Sequence, residues 1–192
     1  QYNTNLVSAS DAPKNWEDLI HPRWKGQIGV NKDVKYWWTV ALAEDGWGLE
    51  KTEAFLTKLK QQNPIWGSGL SQSHALLIAG EFKILAAGKL RHVILSQQKK
   101  APVDWVRANP VVLTGASFSL RAKGPHPNSA RLFMEWMLSP QGLQVWANVT
   151  AQYVPGTDTP TVKLMKGLSV IVRTEEVELK AVELELDKRF AH

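Results

Sequence analysis

Gly69-Leu-Ser71-Gln-Ser73 is the stretch whose residue types come nearest to a reactive site. It imitates the nucleophile elbow G-x-S-x-G, and Asp104 and His126 follow in the order that such hydrolases use. The last position is serine, however, where an elbow takes the smallest residue to avoid a clash. A serine hydrolase is therefore the minor reading. The larger one is a binding turn, in which Ser71 or Ser73 caps the next helix and offers hydroxyl donors. His74, His92 and His126 lack metal-ligand spacing, and no H-E-x-x-H is present. With Cys 0, thiolate zinc sites, iron–sulfur clusters and cysteine nucleophiles are excluded. No metal site, cofactor or catalytic residue is expected.

Anion-binding chemistry is better represented. Three predicted strand-to-helix turns stand out: Asn31 to Lys35, Gly67 to Ser73, and Gly88-Lys89. In a parallel sheet such turns share the edge at the carboxyl ends of the strands, where ligands of open α/β sheets bind. Each helix start offers unpaired amides and the positive end of a dipole. Lys32, Lys89 and Arg91 add charge. The stretch 83–107 carries Lys83, Lys89, Arg91, Lys99, Lys100 and Arg107 against Asp104 alone. Over the whole chain, Lys+Arg 23 against Asp+Glu 18 gives +5. That field attracts anions, but the basic residues are too sparse, and no module is present, for a nucleic-acid surface. Equally, Gly and Ser suit turns for purely structural reasons, and a run of basic residues is commonly a solvated face.

The aromatic residues have two possible uses. There are 9 Trp, and core filling is the ordinary role of each. Tyr36-Trp37-Trp38 is harder to bury whole, because successive helical residues diverge by about 100° and at least one must face outward. An outward ring could cover a ligand, which also admits a carbohydrate-binding module.

The elements that must carry these residues follow from periodicity and punctuation. Strands are predicted at 2–7, 27–30, 65–66, 83–87, 101–106 and 111–120. Helices are predicted at 35–46, 49–62, 75–79, 89–98, 130–138 and 140–148, with a last one over 175–190 whose stripe is Leu179, Val182, Leu186 and Phe190. Residues 151–170 read as irregular. Alternating strands and helices argue an α/β fold with an open, largely parallel sheet. The helical texture from 126 onward places a boundary near 115–125. No apolar run is long enough to span a membrane. The opening Gln-Tyr-Asn-Thr has neither initiator Met nor basic-then-apolar leader, so a targeting segment was removed or the chain begins inside a longer protein.

Asp11-Ala-Pro-Lys-Asn-Trp-Glu-Asp-Leu19 followed by Pro22-Arg-Trp-Lys-Gly-Gln-Ile28 resembles a signature of bacterial extracellular solute-binding proteins, in the ferric-iron ABC-transporter component group. The likeness continues through Leu59 to Pro64, Ala79-Gly-Glu81, Ala101 to Val106, Pro125 to Phe133 and Leu138 to Gly142. Each motif is weak alone; their order over roughly residues 10–145 is the strong signal. The resemblance implies a type II periplasmic binding protein: an α/β sandwich lobe with a C-terminal helical segment, in a protein of two lobes that grip a ligand between them. It implies that residues 1–7 are a hinge strand. Residues 8–120 would form the second lobe, including the returning hinge strand, and 121–192 the C-terminal helices that pack on a first lobe not in this chain. It implies a periplasmic or extracellular location, an ABC-transporter permease as partner, and no enzyme activity. Without their usual sheet, the C-terminal helices could pack on the second lobe, swap or dimerise.

This sequence departs from ferric-binding members, which carry adjacent tyrosines after the Gly-Glu motif. Gly80-Glu81 is followed by Phe-Lys-Ile-Leu-Ala-Ala-Gly88-Lys-Leu-Arg91, and only Tyr2, Tyr36 and Tyr153 exist. Ferric iron needs anionic oxygen ligands, and Lys89 and Arg91 would repel a bare cation. An anionic ligand, or an iron complex carrying negative charge, fits better. The expected contacts are Asn31, Tyr36, Trp37, Ser71, Ser73, Lys89 and Arg91, with Ser117 on the hinge. A ligand-sensing domain of a transcription regulator with the same fold is the alternative.

Overall fold

The computed structural model describes residues 1–31, 35–115 and 118–173. They fall into two compact units, one of residues 1–115 and 168 onward, the other of residues 116–167. Ser117, Lys32 and the predicted helix 175–190 lie outside the described residues.

The first unit is built on a five-stranded sheet in the order β3-β2-β4-β1-β5. Its strands are β1 (Tyr2–Asn3), β2 (Ile28–Asn31), β3 (Ile65–Gly67), β4 (Ile84–Ala86) and β5 (Val103–Asp104). β2 pairs in parallel with both β3 and β4, while β1 runs antiparallel to β4 and β5. The helices are α1 (Lys35–Ala41), continued by a π-helical turn at Leu42–Gly46, then α2 (Leu49–Gln61), α3 (Leu70–Ala79) and α4 (Leu90–Gln98). A separate parallel pair joins β6 (Val111–Thr114) to β7 (Val170–Arg173).

Strand alternation divides the core between the two faces. Ile28, Val30, Ile84 and Ala86 pack with Trp38, Val40, Phe55, Leu56 and Leu59 of α1 and α2. Leu85 packs on the opposite face with Leu77 and Val93 of α3 and α4, and with Phe82 and Val103. The lobe is thus helix, sheet, helix. Gly29, between Ile28 and Val30, points to the second face, and a Cβ there would strike the Phe82 ring. Helix α3 ends at Gly80, whose φ of 87° is left-handed and closes the last turn, as the sequence indicated.

Several predicted boundaries move for identifiable reasons. The first strand keeps only Tyr2–Asn3. The amides of Leu6 and Val7 both turn back onto the Asn3 carbonyl, and Asn3 Nδ2 donates to the carbonyls of Leu77 and Ile78 at the end of α3. The strand predicted over 111–120 ends at Thr114. Within 151–170, read as irregular, lies α7 (Pro160–Met165), with Thr159 accepting from the Val162 amide and Pro at the first helical position.

The second unit is helical: α5 (Pro127–Leu138), α6 (Pro140–Thr150) and α7. Ser139 caps α6 by accepting from the Gly142 amide. Gly142 is pressed against the last turn of α5, where a side chain would collide with the Trp136 carbonyl. Leu132, Phe133, Trp136 and Leu138 of α5 and Val145 and Val149 of α6 are exposed, so these helices carry an apolar surface that their own unit does not cover.

Candidate functional site at the carboxyl ends of the parallel strands

Register brings the three turns to one rim. Asn31 stands opposite Gly67 across β2 and β3, and Val30 opposite Ala86 across β2 and β4. All three strands therefore end at the same level and hand over to α1, α3 and α4. Asn31 and Gly67 are neighbours on the α3 side, since Gly67 abuts the Ser73 side chain closely enough that no Cβ fits between them. Asn31 is buried. At the third turn Ala87 takes a left-handed φ of 57°, a conformation that costs a non-glycine residue energy and swings the chain sharply into Gly88-Lys89.

Of the helix starts at this rim, those of α3 and α4 have no side-chain cap. The N-cap of α3 is Gly69, with φ of 76°, and that of α4 is Lys89. Ser71 and Ser73 lie inside α3 rather than before it, so the expected serine cap is corrected: the glycine's left-handed freedom starts the helix one turn earlier. Two residues apart on a helix, the serines also diverge by about 200° and cannot both address one ligand. Ser71 is exposed. Ser73 is fully buried, and its hydroxyl has no hydrogen-bond partner among the described residues. Ser71 sits in the first turn of α3, and the neighbouring His74 has both ring nitrogens engaged, by Gln1 and Ser96.

The rim is basic. Lys89 and Arg91 are half-buried at the start of α4, and the Arg91 Nε is buried with no partner among the described residues. Their charge registers on His92, whose imidazole is pushed down to about 4 by burial first, then by Arg91, His74 and Lys89. His74 is lowered too, chiefly by burial. A histidine held neutral this way binds its proton more readily in the unfolded chain. Its contribution to stability is therefore complete above the ordinary value of 6.5 and is lost as pH falls toward about 4. Urea unfolding across that window should show stability falling with acidity, and His92→Gln should flatten the slope.

Tyr36 and Trp37 fall in α1, directly after the first turn, but their side chains lie outside the description; Trp38 alone of the triplet is described, and it is core. The Tyr2 phenol hydrogen-bonds Asp104 at 3.4 Å and is pushed upward by burial, then by the Asp104 charge, which disfavours the phenolate that ferric iron requires. No cluster of three or more His, Asp or Glu side chains that could hold a metal occurs among the described residues. None of the described helices is long and apolar enough to cross a membrane. Sequence reasoning missed Gln1, whose side chain fills the space over Gly88 and reaches the Lys89 carbonyl at 2.8 Å. No spacing pattern could have revealed a contact between residues so far apart in the chain.

Comparison with known proteins agrees with this architecture. A family model described as "Bacterial extracellular solute-binding protein" matches residues 1–161. A protein of Haemophilus influenzae called uncharacterized is 26% identical over 171 residues, covering 80% of this chain and 48% of its own. Among solved structures, a substrate-binding protein of an ABC transporter from Agrobacterium tumefaciens is similar at a TM-score of 0.73 and 11% identity, covering 98% of this chain and 62% of that one. Iron-bound HitA from Pseudomonas aeruginosa is similar at a TM-score of 0.57 and 20% identity, covering 83% and 55%. A periplasmic thiamin-binding protein gives 0.59 and 14%, covering 99% and 61%. These likenesses establish the fold, that of periplasmic binding proteins, and this chain spans about half to two-thirds of the length of each relative. The chain belongs to the bacterial extracellular solute-binding protein family.

Proposed function

We propose that the chain is the ligand-gripping half of a solute-binding component of an ABC importer, catalysing nothing and holding a small anion at the rim of β2, β3 and β4. The observation that carries this is the shared level of Asn31, Gly67 and Ala86 in the sheet register, with Lys89 and Arg91 at the start of the helix that follows. Uncapped helix starts and a guanidinium nitrogen lacking a partner among the described residues suit an oxyanion. Arg91 pairs with an acidic group of the ligand, Lys89 adds charge, and Ser71 and Asn31 contribute hydrogen bonds. Ser73 underlies the β3–α3 turn beneath Gly67. Tyr36 or Trp37 covers an apolar part of the ligand, and Ser117 approaches from the hinge.

Relatives of the same fold carry iron in one case and thiamin in another, so the ligand has to be argued from the donors here. Basic donors and a disfavoured phenolate speak for an anion, or for a ferric complex of net negative charge, over a bare ferric ion. In this reading residues 1–7 and the end of the 8–120 lobe are hinge strands, that lobe is the second of two, and 121–192 supplies helices to the first lobe, which completes an interlobe cleft. The exposed apolar face of α5 and α6 supports an interface there, with that lobe or with a second copy. The protein works in the periplasm or outside the cell and delivers its ligand to a permease.

Native mass spectrometry of the full-length protein, purified without added ligand, tests the reading. A retained organic or phosphorylated anion that dissociates at high salt is expected. A bare ferric ion, or a neutral sugar indifferent to salt, would overturn it.

A further inference from the structure

The rim contains a hydrogen-bond chain that the ligand reading does not use. His74 Nδ1 lies 2.8 Å from the Gln1 Oε1, and Gln1 Nε2 donates to the Lys89 carbonyl at 2.8 Å. The other imidazole nitrogen, Nε2, lies 2.8 Å from the Ser96 hydroxyl. The Lys89 carbonyl also accepts the His92 amide at 3.0 Å, the bond that closes the first turn of α4. Both lone pairs of this N-cap carbonyl are therefore engaged, one by its own helix and one by Gln1.

The chemistry of the chain fixes its direction. A carbonyl only accepts, so the Gln1 group facing Lys89 must be the NH2. The Gln1 oxygen then faces His74, which must donate from Nδ1, and Nε2 accepts from Ser96. His74 is thus a neutral Nδ1–H tautomer with both nitrogens satisfied. Burial, which lowers its proton affinity, favours the same state. The packing around the chain is specific to it: a Cβ on Gly88 would strike the Gln1 amide, so only glycine leaves that amide its path.

We infer that His74 is a positioning residue, which through the Gln1 amide clamps the N-cap of α4 and so fixes where Lys89 and Arg91 stand at the anion rim. The inference rests on the anion reading for its consequence in binding, but the clamp itself can be read without a ligand. It also gives a role to a buried histidine that sits in α3 facing α4.

Substitutions separate this role from bulk packing. An asparagine amide overlays the near ring nitrogen and keeps the donor to Gln1, while a glutamine amide overlays the far one and keeps only Ser96. With inorganic phosphate as probe, His74→Asn should retain affinity, and His74→Gln should raise Kd roughly fivefold, the value of one hydrogen bond. Hydrogen exchange of the His92 amide should accelerate in His74→Gln and not in His74→Asn. In the unsubstituted protein, nitrogen NMR should find His74 as the Nδ1–H tautomer at neutral pH, so a variant that fails to fold leaves the test intact. An Nε2–H tautomer, or equal exchange at His92 in the two variants, would overturn the clamp. Absence of phosphate binding in the unsubstituted protein would count against the anion reading instead, with tautomer and exchange still deciding the clamp.

Discussion

Trp38→Ala should destabilise the protein by about 3–5 kcal/mol, the usual cost of emptying a buried tryptophan site, as read from urea unfolding. Trp38 has no exposed surface. Its ring stacks on Trp16 at 5.1 Å with 7° between planes, and meets the Phe55 edge at 6.4 Å and 80°. Phe55 in turn meets Trp47 at 5.3 Å. These rings join the 3-10 turn Trp16–Ile20, α1 and α2, and Trp16 Nε1 donates to the Pro110 carbonyl just before β6. Alanine would leave a cavity bordered by rigid rings that cannot collapse to fill it. The Trp38 indole nitrogen is buried with no partner among the described residues, so Trp38→Phe should be far milder, keeping most of the ring and removing an orphaned donor. Equal losses in the two variants would show that the stack is not what holds α1 to the sheet.

Arg91→Ala should weaken ligand binding about 10- to 100-fold, the worth of one hydrogen bond to a charged group, with the unfolding midpoint little changed. The two effects separate because Arg91 Nε is buried yet unpartnered among the described residues. Removing a donor that lacks an acceptor costs the folded protein little, while in the proposed site it takes away the guanidinium that pairs with the anion. Ser71→Ala should cost less, since its hydroxyl is exposed and neutral. Calorimetric titration with the ligand identified by mass spectrometry reads both, and unchanged affinity in the pair would remove this site.

Much of the lobe could be read from pattern because the physics there is local. The alternation Ile28-Gly-Val30 and Ile84-Leu-Ala86 fixed which face each residue takes, and Gly80 ended α3 where a left-handed residue is needed. The start of α3 was misplaced because serine is a common cap, whereas here Gly69 makes the turn by its backbone alone. The short α7 had a legible signal, Thr159-Pro160, that apolar periodicity over six residues was too brief to support. At the site, the level of the three turns depended on strand pairing, which a sequence expresses only through its sheet class. The Gln1–His74–Ser96 chain depended on three distant segments meeting, and none of its members carries a motif. The resemblance over residues 10–145 supplied the fold family, but the donors at the rim had to be judged residue by residue.

Backbone amide shifts followed by NMR during an anion titration test the main point most directly. The largest changes are expected together at Asn31, at Gly67 to Ser71 and at Gly88 to Arg91, saturating with a single affinity that weakens as salt rises. Changes centred instead on the groove of Asp45, Trp47 and Asn109, or spread over surface lysines without saturation, would contradict it.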